Sequence, residues 1–186
     1  SERMIEQFGD SGGGGGFFFT SSDHESLIAR NKDTQDAATP SGNAMAATAL
    51  LKLARLTGRG DLERVAVETL DMLSGQLERV PMAGGQALIA LDFLLGPTRE
   101  IVIIRADRAD ETPAVLAELH RRFLPNTVVL QRPPGVSDEE LPAVVKPLLT
   151  GKTPRDGRTT VYVCERGVCH APVVGVEGLR SALDAL

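Results

Sequence analysis

The stretch Asp36-Ala-Ala-Thr-Pro-Ser-Gly-Asn43 joins an aromatic run, Phe17-Phe-Phe19, to a long apolar segment that ends at Thr57-Gly58. Apolar residues recur at helical spacing from Met45 to Leu56, which predicts a helix closed by the glycine. Thr39-Pro40 predicts its start, because the hydroxyl can accept a free backbone N–H and proline at the first position loses no intrahelical bond. Residues 17–20 and 26–30 predict the two strands of a small β-hairpin.

Three further segments in the first half of the chain are predicted to be helices from the spacing of their apolar residues. Residues 2–8 are interpreted as the last turns of a helix whose beginning lies outside the chain, and residues 62–77 carry one apolar stripe. Residues 86–95 are apolar on nearly every side, which predicts burial, so Asp92 is expected to be paired or to face a cavity. Residues 1–97 are therefore expected to form the closing helical hairpins of an α/α toroid, together with the β-hairpin.

After Gly96-Pro97 the pattern alternates between strands and helices. Strands are predicted at 101–104, 127–130, 159–164 and 169–173, and helices at 112–124, at 137–149 (short or kinked by prolines) and at 177–186. The order β-α-β-α-β-β-α is that of the thioredoxin core. Residues 105–111 contain no cysteine, so residues 98–186 are predicted to be a small thioredoxin-like domain that lacks the Cys-x-x-Cys motif.

Composition excludes several classes of function. The 186 residues carry a net charge of −5 with no basic stripe, which argues against nucleic-acid binding. No apolar run approaches the roughly 20 residues of a membrane span, and the first residues do not form a signal peptide. The glycine run, residues 12–16, is not followed by Gly-Lys-Ser/Thr and is no phosphate loop. We expect a cytoplasmic protein with no cofactor and no membrane partner.

A polar cluster precedes the long helix. It comprises Lys32, Asp33, Asp36, Ser41 and Asn43. At the mouth of a toroid these groups could bind a saccharide, with Asp36 as acid, base or hydrogen-bond acceptor. The other interpretation, which the spacing favours, is helix capping and loop closure.

The two cysteines, Cys164 and Cys169, lie on either side of a predicted tight turn. They could form a cross-hairpin disulfide, a thiol switch or half of a zinc site, or they could be two separate structural thiols, which is the favoured interpretation. Zinc needs three or four ligands and no second cysteine pair exists, so we predict no metal site.

Several motifs together resemble the YyaL-like family of thioredoxin-domain-containing proteins, also called the spermatogenesis-associated protein 20 family. They are Gly15-Gly-Phe-Phe-Phe-Thr20, Asp36-Ala-Ala-Thr-Pro-Ser-Gly-Asn43, residues 50–58, Ala90-Leu-Asp-Phe-Leu-Leu-Gly-Pro97, Glu100-Ile-Val-Ile103, Tyr162-Val-Cys164 and Cys169-His-Ala-Pro172. The resemblance implies an N-terminal thioredoxin-like domain, then a toroid of the six-hairpin glycosidase or N-acylglucosamine 2-epimerase type, of which this chain is the C-terminal part.

That resemblance leads to three functional hypotheses. The leading one is a non-catalytic fragment of a multidomain protein, whose partner is the missing N-terminal part or a second copy of the chain. The second is a sugar-processing enzyme, an epimerase or glycoside hydrolase, that uses Asp36 and another carboxylate on a saccharide ligand. The third is a thiol-disulfide module that uses Cys164 and Cys169 as redox residues.

Overall fold

The computed structural model describes residues 1–25, 28–106, 110–165 and 167–185. The chain divides into two compact units, one of Ser1–Ala54 with Arg59–Leu95 and one of Arg55–Gly58 with Gly96–Leu186. Over the described residues there are seven α-helices and a mixed sheet of five strands, so the predicted mixture of α and β structure is confirmed.

The first unit is helical. Its elements are α1 (Glu2–Phe8), α2 (Gly42–Thr57), α3 (Gly60–Arg79), a single 3-10 turn (Pro81–Ala83) and α4 (Gly85–Leu95). The helix predicted at residues 2–8 is confirmed by α1. In α3 the apolar stripe turns inward, since Leu62, Leu70 and Leu73 are buried while the charged residues of the helix are mostly exposed.

Helix α4 corrects the prediction of burial on every side. It packs against α3 and the 3-10 turn, and this contact buries Ala87, Ala90 and Phe93. The opposite face carries Leu88, Ile89 and Leu95, which are 39%, 53% and 71% exposed. Asp92 lies on the same face and is exposed, so packing of α4 does not bury it. Among the described residues of the first unit, the packed side of α4 also contacts α2, since the Gln86 amide donates to the Thr48 hydroxyl at 2.8 Å.

The predicted β-hairpin near the aromatic run is also corrected. Phe17 forms an isolated antiparallel bridge with Gly9, and the Phe19 N–H donates to the Asn31 carbonyl at 2.8 Å. No strand pair forms over the described part of this segment, and Ser26 and Leu27 of the predicted second strand lie outside it. The physical reason is that both backbone groups of Phe17 bond to the side chain of Asn43 instead of to a partner strand.

The second unit is built on the five-stranded sheet. Its elements are β1 (Arg99–Ile104), α5 (Thr112–His120), β2 (Thr127–Arg132), α6 (Lys146–Leu149), β3 (Thr160–Glu165), β4 (Val168–Cys169), β5 (Val173–Val174) and α7 (Gly175–Asp184). The strands lie in the order β2-β1-β3-β4, and β5 also pairs with β3. The pair β1/β2 is parallel, and the pairs that β3 forms with β1, β4 and β5 are antiparallel.

Both faces of the sheet are covered. Alternation along the central strand β1 sends Ile101 and Ile103 to one face, where they pack against α5 and α7. Val102 and Ile104 point to the other face and pack with Tyr162, Cys164 and the segment around α6. A strand that is apolar on both sides is the pattern expected when both faces of a sheet are buried.

Three predicted elements are shorter than the sequence suggested. The helix predicted at 112–124 ends at His120. Between residues 137 and 149 only the four residues of α6 are helical, in keeping with a prediction of a short helix. The predicted strand at 169–173 is divided into β4 and β5, and Pro172, which has no N–H to donate, lies between them. The turn predicted at 165–167 includes Arg166, which is outside the described residues.

A buried carboxylate links the two helices that cover one face of this sheet. Glu118 of α5 accepts hydrogen bonds from Arg122, one turn further along, and from Arg180 of α7 at 3.2 Å. The side chain of Glu118 is only 7% exposed. The hydrogen bond from Arg180, followed by that from Arg122, holds the pKa of Glu118 below its ordinary value of 4.5.

We predict that Glu118→Gln lowers the free energy of unfolding at pH 7 and that the difference disappears in acid. Because the folded-state pKa of Glu118 is depressed, its stabilising contribution is present above the unfolded-state pKa and is lost as the pH falls through the lower folded-state value. Urea unfolding of both proteins at pH 7 and at about pH 3 measures the effect.

Glu177→Gln is the matched control, since Glu177 also pairs with Arg180 but is 78% exposed. It should leave stability nearly unchanged, as exposed pairs contribute little. A loss in Glu118→Gln that is the same at both pH values would contradict the prediction.

Candidate functional site

Asp36 joins the starts of two helices in the first unit. One carboxylate oxygen accepts the N–H of Ser41 at 2.8 Å, and the other accepts the N–H of Gln86, in the first turn of α4, at 2.7 Å. The Ser41 hydroxyl accepts the N–H of Ala44 at 3.2 Å. Helix α2 therefore begins at Gly42 with Ser41 as its cap, and the predicted start at Thr39-Pro40 is wrong.

Asn43 is 2% exposed and connects the aromatic run to α2. Its side-chain oxygen accepts the Phe17 N–H at 2.6 Å, and its amide donates to the carbonyls of Phe17 and Asp33 at 2.9 and 2.8 Å. The glycine before Phe17 is needed here, because Gly16 has φ +71° and a Cβ at this position would lie 2.7 Å from the Asn43 oxygen.

Lys32 lies beside the same loop. Its ammonium donates to Asp10 at 2.6 Å and to the carbonyl of Gly15, and it lies 5.1 Å from the centre of the Phe18 ring. The hydrogen bond from Lys32 is the main cause that lowers the pKa of Asp10. The ion pair closes the glycine run against the rest of the loop.

A cavity of about 250 Å³ opens next to Asn43. Its walls are mainly apolar. They are formed by Met4, Phe8, Phe17, Phe18, Phe19, Asp33, Gly42, Asn43 and Ala46. Because the side-chain groups of Asn43 are already bonded to backbone, the cavity offers a ligand mostly aromatic surface.

The structure thus brings Lys32, Asp36, Ser41 and Asn43 into one region, as the sequence indicated, and gives each an intramolecular partner. Saccharide binding at these four residues, and an acid or base role for Asp36, stay predictions. The contacts themselves are those of capping and loop closure.

Cys164 and Cys169 form a disulfide, with 3.8 Å between their Cα atoms. They are directly opposite each other in the β3/β4 pair, next to the backbone hydrogen bond from His170 to Val163. Such a non-hydrogen-bonded position brings two opposed residues closest together. The favoured interpretation of two separate thiols is therefore corrected.

The two cysteines of the disulfide differ in their exposure to solvent. Cys164 is 2% exposed and belongs to the core around Tyr162, whereas Cys169 is exposed. A reagent in solution therefore meets Cys169 first.

Glu100 is the residue near the disulfide that the sequence analysis missed. It is 4% exposed and lies directly opposite Cys164 in the β1/β3 pair. Burial raises the pKa of Glu100 above its ordinary value, an effect that the positive charge of Arg55 partly opposes. A signal was available, because Glu100 alternates with Ile101 at the start of an apolar strand and so shares a face with Val102.

Neither a metal cluster nor a membrane span is found in the part of the chain that the structure describes. No group of three or more His, Cys, Asp or Glu residues there is arranged to hold a metal ion. No described helix combines the length and the apolar character that crossing a bilayer requires.

Comparison with curated proteins gives matches to spermatogenesis-associated protein 20 of three mammals. The chain is 33% identical to the rat protein, 32% to the human protein and 31% to the mouse protein over 160 residues, which is 84% of this chain. The predicted family resemblance is confirmed. The matched segment is 20% of each relative, so the chain spans about one fifth of the length of the curated relatives it matches. No family model matches the chain.

We predict that Asp36→Ala lowers the free energy of unfolding by about 2 kcal/mol, because the starts of α2 and α4 each lose a capping acceptor. Chemical denaturation measures the change. Asp33→Ala is the control, since the carboxylate of exposed Asp33 accepts the Gly42 N–H at 3.0 Å and contacts the start of one helix instead of two, so its removal should cost less. Equal stability of Asp36→Ala and wild type would contradict a capping role.

Proposed function

We propose that this chain is a non-catalytic C-terminal segment of a larger protein, in which the first unit closes an α/α toroid and the second is a thioredoxin-like domain. The observation that carries the proposal is the exposed apolar face of α4. Leu88, Ile89 and Leu95 expose 39%, 53% and 71% of their surface on one side of a helix whose other side is packed. A helix with apolar residues on two faces is suited to burial between two neighbours.

The length of the relatives supports the same proposal and indicates what covers that face. Since the matched segment is 20% of each relative, four fifths of such a protein would be available to supply the second neighbour of α4. We therefore assign the face to the preceding part of the same protein rather than to an unrelated partner.

The topology of the second unit supports the thioredoxin-like part of the proposal. A parallel β1/α5/β2 unit is followed by α6, by the antiparallel strands β3 and β4, and by the terminal helix α7. This is the predicted order of elements, except that the last predicted strand is divided into β4 and β5. Residues 105–111 contain no cysteine, so the proposed thioredoxin-like domain has no Cys-x-x-Cys redox centre after its first strand.

Sugar processing is not proposed. Each of the four predicted ligands, Lys32, Asp36, Ser41 and Asn43, bonds within the chain, and the adjoining cavity is largely apolar. A sugar-binding cleft would instead present hydroxyl-directed donors and acceptors to its ligand.

The segment proposal is tested by the mass of the native gene product and by side-chain labelling with hydroxyl radicals. We expect a mass far above the 19.8 kDa of this chain. In the native product, labelling at Leu88, Ile89 and Leu95 should fall several-fold relative to the 186-residue chain, because the preceding part covers them. Buried Phe93 of the same helix is the control, with low labelling in both samples.

Three outcomes would overturn the proposal. One is a native mass near 19.8 kDa. Another is equal labelling of the α4 face in both samples. A decrease in labelling that appears only as the concentration of the 186-residue chain rises would also overturn it, since that result would assign the face to a second copy.

A second function, thiol-disulfide exchange, is favoured by the Cys164–Cys169 disulfide. The bond joins an exposed residue to a buried one at the end of the sheet, so a dithiol can reach Cys169 without opening the core. Reduction would convert the dithiol to its disulfide and leave two thiols on the chain.

We predict that the chain accelerates the reduction of insulin disulfides by dithiothreitol and that Cys169→Ser loses the acceleration. Loss is expected because an exchange cycle needs both sulfurs. Turbidity of the released insulin chains follows the reaction, and Ser181→Ala, at an exposed position of α7, is a control that should keep the wild-type rate. Equal rates with and without the wild-type chain would reject this function.

A further inference from the structure

Glu100 and Cys164 are neighbours across the β1/β3 pair. The antiparallel register places them directly opposite each other, so their side chains extend from the same face of the sheet. Opposed residues have Cβ atoms about 4.5–5.5 Å apart, which is within reach of a carboxyl group and a sulfur. The face they share also carries Val102 and Tyr162.

The carboxyl group of Glu100 is buried without full hydrogen bonding. Its residue is 4% exposed, and its Oε2 atom has no hydrogen-bond partner among the described residues. Leaving an ionised oxygen in this state is costly, whereas a neutral carboxyl group loses less on burial. In the described residues no hydrogen bond accounts for the burial of this oxygen.

Three charged groups act on Glu100 from the surrounding elements. Arg55, near the end of α2, and Lys152, in the loop after α6, favour the ionised carboxylate, while Glu165 of β3 opposes it. Burial has the largest effect and raises the pKa of Glu100. The carboxyl group can thus hold a proton at a pH where an exposed glutamate has lost it.

We propose that Glu100 is the proton donor to Cys164 when the Cys164–Cys169 disulfide is reduced by a dithiol, and the proton acceptor when it re-forms. This proposal rests on the thiol-disulfide function proposed above. It is carried by the cross-strand pairing, the burial of both residues and the unpartnered Oε2 atom.

Reduction of the disulfide by a dithiol proceeds in two displacements. A thiolate of the dithiol attacks Sγ of exposed Cys169, a new S–S bond forms, and the bond to Cys164 breaks with its electron pair on Sγ of Cys164. The Glu100 carboxyl group gives its proton to that sulfur and becomes a carboxylate. The second thiol of the dithiol then loses its proton to solvent and attacks its own mixed-disulfide sulfur, and Sγ of Cys169 leaves with the electron pair and takes a proton from solvent. The dithiol is thereby oxidised, the protein disulfide is reduced, and Glu100 recovers a proton from solvent.

The rate of reduction by dithiothreitol as a function of pH tests the proposal in the 186-residue chain. Rates are measured by quenching with a thiol mass tag between about pH 5 and 9 and are divided by the thiolate fraction of the reagent. In wild type the corrected rate should fall at least about tenfold as Glu100 ionises, because a general acid is lost. In Glu100→Gln the low-pH rate should already be reduced and the profile should be flat.

Glu165→Gln is the matched control, because Glu165 follows Cys164 but alternates to the opposite face of β3. It should keep a fall in rate of the wild-type size, displaced to lower pH, because the negative charge that opposes ionisation of Glu100 is removed. A flat profile in wild type, or a fall that persists in Glu100→Gln, would overturn the proposal.

A second measurement needs no variant. The carboxyl ¹³C resonance of Glu100 should titrate at different pH values in the disulfide and dithiol forms, since proton binding at Glu100 is coupled to the state of Cys164. Identical titrations would also overturn the proposal. The insulin assay tests the exchange function separately. If the chain is inactive on insulin but its reduction by dithiothreitol shows the Glu100-dependent pH profile, the exchange function is rejected and the proton-transfer role of Glu100 is kept.

Discussion

The first unit depends on side chains that accept hydrogen bonds from backbone N–H groups. These N–H groups have no partner within their own helix or strand. Asp36 accepts two of them, at the starts of α2 and α4, and Asn43 satisfies both backbone groups of Phe17. A buried donor without a partner costs about 1–3 kcal/mol, so these two polar side chains have strong structural reasons for their positions. The same contacts explain why the aromatic run does not pair as a strand.

Much of the fold followed from patterns that are local in sequence. The apolar stripe of α3, the alternation of β1 and the proline-limited α6 are each read from neighbouring residues. The errors arose where a distant partner decides the outcome. Burial of α4 depends on what packs against each face, and the start of α2 depends on Asp36 as well as on Ser41.

The same distinction applies to the candidate sites. The residue types around Asp36 and the pair Cys164 and Cys169 could be recognised from the sequence, and capping was the favoured interpretation of the first. The disulfide and the position of Glu100 depend on the registers of β3 with β4 and of β1 with β3, which spacing alone does not fix. The disulfide and its neighbouring carboxyl group can therefore be identified only when the pairing of side chains across the strands is known.

The central position of β1 also has a consequence for how the second unit is made. Both strands that pair with β1 come later in the chain, and the more distant, β3, lies beyond α5, β2 and α6. Pairing between distant segments is slow, because a long loop must close before the contacts form. During synthesis the apolar residues of β1 leave the ribosome before β3, and in that interval the charges of Arg99 and Glu100 at the start of the strand oppose aggregation.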